Sequence, residues 1–71
     1  MDPGNLEILR EAASIRQKKE TAERAVSRAA RRLGRSYGAY ISAMSDLRNL
    51  AARHKVGVEE ALGRLLQQEE K

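Results

Sequence analysis

Apolar residues return along this chain at alternating steps of four and three. Ile8, Ala12, Ile15, Lys19, Ala22, Val26, Ala29 and Leu33 form one such series, and that spacing places them on a single stripe of an α-helix. Lys19 is its one charged member. Asp2 ahead of Pro3 is a helix-start signal, because a carboxylate can accept from the orphan amides and proline suits the first helical position. Gly34 falls where a helix-ending glycine belongs. The spacing therefore predicts one helix over about residues 3–33.

After the turn "GRSY" at 34–37 a second series begins: Tyr37, Tyr40, Met44, Leu47, Ala51, His54, Val58, Ala61 and Leu65. It crosses Gly57 without losing phase. The segment "KVGVEE" offers a break there, with Gly57 as cap and Glu59 and Glu60 suiting a new N-terminus. Continuing the helix would cost about 1 kcal/mol for the glycine. The unbroken register favours a second helix over about 38–69, kinked or broken near Gly57.

The fold class is all-α, and the expected architecture is an antiparallel helical hairpin in one domain, 1–71. Rods of roughly 46 and 49 Å far exceed the roughly 22 Å expected of a lone 71-residue domain. Leu6, Leu9, Ala13, Ala25 and Ala30 broaden the first stripe, and Ile41, Leu50, Leu62 and Leu66 the second. Two hairpins closing into a four-helix bundle would bury these surfaces. The seam of that bundle would be Ile8, Ile15, Ala22, Val26, Leu33, Met44, Leu47, Val58 and Leu65, with a homodimer or a helical protein as partner. In size and outline such a hairpin resembles the small RNA-binding hairpin dimers of plasmid copy control and the short co-chaperones of type III secretion needle subunits. No motif is shared, so no residue role carries over.

Composition reinforces the need for a partner. The chain has no Phe, Trp or Cys, and eleven alanines dilute its larger apolar residues. A core of this size contributes only ~3–5 kcal/mol, and no disulfide adds to it. One His, no Cys and scattered carboxylates point to a non-enzymatic protein without cofactor, metal or small-molecule substrate. No apolar run approaches the roughly 18–20 residues of a membrane span. The expectation is a soluble, cytoplasmic protein that does not engage membranes.

Charge adds a candidate surface. Arg24, Arg28, Arg31, Arg32 and Arg35 fall in twelve residues, and no acid occurs between Glu23 and Asp46. On a helix the five occupy an arc of about 100° opposite the seam. An amphipathic helix would place its charges there without any ligand, but the shortage of counter-charge is unusual for a surface. Arginine, never lysine, is used within this block, and its planar fork suits phosphate or carboxylate. Nucleic acid, an acidic protein, or the Glu59, Glu60, Glu69 and Glu70 end of a neighbouring copy would each fit.

Three smaller features bear on function. Tyr37 and Tyr40 would cap the last layer of core at the hairpin end, or stack bases beside the arginines. Lys19 would face roughly Ala51, one turn from His54, and would either snorkel its ammonium to the edge while its stem packs or form a polar layer that fixes register. "LRNLAARHKVGVEEALGRL" resembles a helix-turn-helix, although Lys55 stands at its usual turn glycine and the second helix opens with two glutamates. The leading expectation is a helical interaction protein, an adaptor, co-chaperone or regulator acting through its bundle surfaces. The alternative is a small basic nucleic-acid-binding regulator that uses the Arg24–Arg35 stripe.

Overall fold

In the computed structural model, which describes residues 1–69, the chain forms four helices: α1 (Pro3–Ile15), α2 (Ala22–Arg32), α3 (Tyr37–His54) and α4 (Val58–Glu69). The start of α1 follows its sequence signal. The Asp2 carboxylate accepts from the Asn5 amide at 3.1 Å, and Pro3 holds the first turn. Thr21 and Ser36 cap α2 and α3 in the same way, accepting from Arg24 N at 3.3 Å and Ala39 N at 3.2 Å. These hydroxyls satisfy amides that have no partner inside the helix.

α2 ends at the expected glycine. Gly34 takes φ +68°, while Arg35 N donates to Ala30 O at 2.8 Å and Gly34 N to Arg31 O at 3.0 Å. This is a Schellman closure, whose left-handed residue glycine enters without a Cβ clash. α3 closes by the same pattern on a different residue. Val56 N donates to Ala51 O at 3.0 Å and Lys55 N to Ala52 O at 3.2 Å, with Lys55 itself at φ +59°. The cap is thus Lys55 and not Gly57. Gly57 instead opens α4, its carbonyl accepting from Ala61 N at 3.0 Å.

The expected hairpin is absent because the first rod breaks at residues 16–21. α1 stops at Ile15, and Gln17 to Glu20 make a turn in which Glu20 N donates to Gln17 O at 3.0 Å. Lys19, its third residue, takes φ +68°. The seam phase survives this turn only as a coincidence of numbering, since Lys19 is exposed and lies on no stripe. His54 is also exposed at the end of α3, so the two form no polar layer, and Lys19 packs on no seam.

With two breaks the helices fold onto one another. α1 packs against all three others, most extensively against α2. The largest fully buried side chains are Ile8 and Leu9 of α1, Val26 of α2, Met44 and Leu47 of α3 and Leu62 of α4. Alanine fills much of the rest. α2 contributes Ala22, Ala25, Ala29 and Ala30 beside Val26, and such small side chains let its backbone lie close to α1.

The radius of gyration is 10.8 Å and the extents are 28 × 24 × 23 Å; the 18 residues of α3 are roughly 27 Å long, close to the largest of these. Of the predicted seam, Ile8, Ala22, Val26, Met44, Leu47 and Leu65 are buried, and Ile15, Leu33 and Val58 are partly buried against the same core. Most of the apolar stripes that called for a second chain are closed within one, while Ile41 and Leu66 stay exposed. Among the described residues, no helix is long and apolar enough to cross a membrane.

Candidate functional site

The arginines of α2 divide into two groups once α1 and α3 are in place. On a helix, Arg28 and Arg32 lie toward one edge of the arc and Arg24 and Arg31 toward the other, about 40–100° apart. The first edge faces α1 and the linker. Arg32 Nε donates to Glu11 Oε2 at 2.7 Å. Arg35, just past the helix, pairs with Glu7. Both acids stand on α1, so the counter-charge missing from the sequence neighbourhood of the stripe arrives from the next helix.

Arg28 makes the most connected of these contacts. Its Nε and Nη2 donate to the two oxygens of Glu20 at 2.8 and 2.6 Å, and Nη2 also donates to Ile15 O at 3.0 Å. Glu20 in turn accepts from Gln17 N at 2.9 Å, and its carbonyl accepts from Arg16 Nε at 2.7 Å. One bidentate pair therefore ties together the end of α1, the linker and the middle of α2. The Arg28 hydrogen bonds, followed by the Gln17 amide, hold the Glu20 carboxyl down at about pKa 2, and the positive charges of Arg28 and Arg24 add to the effect.

On the other edge, neither Arg24 nor Arg31 has an acidic partner in an ion pair among the described residues. Both are exposed. They line the α2 wall of a trough whose opposite wall is the first turn of α3. One end of it, a hollow of about 310 Å³, is bounded by Glu23, Arg24, Ser27, Arg28, Arg31 and Tyr40. The other, of about 290 Å³, shares Ser27, Arg31 and Tyr40 and adds Arg35 and Tyr37. Glu23 is the single acid on either lining.

The two tyrosines differ. Tyr40 is partly buried and packs on the core, which is the covering role foreseen for such residues. Tyr37 is 76% exposed and covers little. Their ring centroids are 5.6 Å apart and the planes are tilted by 39°, within the range of a favourable aromatic pair. Tyr40 thus backs Tyr37 from the core side.

Two acids at the start of α4 are engaged elsewhere, and the Glu69 side chain lies outside what is described. Glu59 Oε2 accepts from the Ala22 amide at 2.9 Å, capping α2 from the first turn of α4. Glu60 pairs with Arg64 at 3.0 Å along α4, and Glu70 lies outside the described residues. Asn5, in the first turn of α1, is buried and donates from Nδ2 to Ser42 Oγ and Asp46 Oδ2, both at 2.8 Å, joining α1 to α3. Nothing in the sequence spacing marks the Glu59 or Asn5 contacts, which span 37 to 41 residues. The start of α2 did carry a signal, Thr21 followed by Glu23 in the first turn.

No group of His, Asp and Glu side chains suited to a metal ion occurs among the described residues. No protein-family model matches the chain, and comparison with curated proteins and with solved structures likewise finds no match.

Proposed function

We propose that this protein is a small nucleic-acid-binding domain that holds phosphate groups in the trough between α2 and α3. One observation carries the reading: Arg28, Arg32 and Arg35 are each claimed by an acid, whereas Arg24 and Arg31, on the wall of a concave surface, pair with no acid among the described residues. Surface arginines without counter-charge attract polyanions and gain affinity by releasing condensed counterions. Arg35 stands at the trough's second end and adds charge there even while paired.

Binding of a labelled oligonucleotide at graded salt tests this. Two phosphate contacts on a single strand give a slope of log K against log salt of about −1.4. Replacing both Arg24 and Arg31 with Ala should remove most of that slope and leave the melting temperature unchanged, because neither side chain holds the fold. Arg32→Ala, on the other edge, should bind like the parent. Salt-insensitive binding, or equal loss from Arg32→Ala, would sink the proposal.

A second reading is an adaptor, co-chaperone or regulator that binds a helical protein or a second copy of itself. Ile41 favours it, being 47% exposed one turn along α3 from Tyr37. Solution mass decides between the two: a salt-stable dimer indifferent to nucleic acid would put this reading first.

A further inference from the structure

We infer that the trough takes a single strand and not a duplex, with one base stacked on Tyr37. This rests on the phosphate-binding reading above and names its substrate class.

The shape of the site argues for it. A duplex reader presents a convex element, usually a helix, that enters a groove about 12 Å wide. Here Arg24 and Arg31 line one hollow with Tyr40 across from them, and Arg31 lines the adjoining hollow with Tyr37 and Tyr40 across from it. The two hollows share three residues, so they run together along α2 from Glu23 to Arg31, a length of roughly 12 Å. A flexible strand can lie in such a channel with phosphates toward α2 and bases toward α3. A rigid duplex would rest on its rims.

The exposure of Tyr37 supplies the second argument. A tyrosine that is 76% exposed contributes little to the core, and its ring is nonetheless held in place by Tyr40 behind it. A braced aromatic ring with an open side beside the unpaired Arg31 is an arrangement that binds unpaired bases, and such stacking tolerates any sequence. α3 begins at this same tyrosine with no acid in its first turn, so nothing on that turn repels the strand.

The test compares a labelled oligothymidylate of about 12 nucleotides with a duplex hairpin of similar length, because single-strand sites of this kind span several nucleotides. The single strand should bind more tightly. Tyr37→Ala should weaken its binding by about 5- to 150-fold, Tyr37→Phe should restore it, and neither should change the salt slope. Circular dichroism of each variant confirms that the helices remain.

If the duplex binds as tightly as the single strand, or Tyr37→Ala has no effect while replacing Arg24 and Arg31 does, the single-strand inference falls and the phosphate-binding reading stands. If neither nucleic acid binds, both fall.

Discussion

The two interruptions of the expected rods, at residues 16–21 and 55–57, are built on the same backbone event and differ in what holds it. In each, a lysine takes a left-handed conformation, φ +68° at Lys19 and +59° at Lys55. Such a conformation costs a residue with a Cβ roughly 1–2 kcal/mol. At Lys55 the backbone itself offsets the cost through two Schellman hydrogen bonds, and Val56 docks on the core. At Lys19 the work falls on a side chain, since Glu20 gathers Gln17 N and Arg28 around the turn. A break can thus be stabilised by main-chain closure or by one well-placed carboxylate.

The sharpest way to break this contrast is Glu20→Ala. It removes the bidentate partner of Arg28 and the acceptor for Gln17 N, and should give the largest fall in melting temperature of the substitutions named here. Native-state hydrogen exchange should accelerate in the linker and at the end of α1 while the amides of Lys55 and Val56 stay protected. Equal loosening of both turns would mean that they are not held separately.

Acid should reproduce part of that effect. The Glu20 carboxyl has a folded pKa of about 2 against an ordinary value of 4.5. A depressed folded pKa means that its contribution is complete above about 4.5 and is lost as pH falls toward 2. Thermal melts across that window should show a pH-dependent loss in the parent that Glu20→Gln reduces.

Glycine at the left-handed positions has a smaller effect with the opposite sign. Lys19→Gly and Lys55→Gly should each raise stability by about 1 kcal/mol, through relief of the Cβ clash less the entropy of the freer unfolded chain. Chemical denaturation measures this, and a loss at either site would show that the lysine side chain is itself engaged. Gly57→Ala should matter least, within about 0.5 kcal/mol, because φ there is not left-handed and a Cβ meets nothing within 4 Å.

These turns also explain what could be read from the sequence. The all-α class, the caps at Asp2 and Gly34 and the turn near Ser36 rest on local chemistry, and local chemistry is visible in a short window. The break after Ile15 was hidden because the heptad count treated Lys19 as a seam residue. The run "RQKKET" holds no apolar side chain, and that gap in the stripe, together with Thr21 and Glu23, was the available warning. The arginine stripe was legible as a face, but its division was not. Which arginines are free depends on Glu7 and Glu11, whose helix approaches α2 only after the linker turns.

The Glu59 contact with Ala22 N joins the first turn of α4 to the first turn of α2. Its carboxylate sits at the positive end of the α2 dipole, where negative charge is favourable. The C-terminal helix is in this sense a latch on the second one. Opening of α4 would uncover the amide at the start of α2, so the two should fray together as one cooperative unit although they adjoin less than any other pair of helices. The α2 wall of the trough would then be only as rigid as the docking of the chain's last helix.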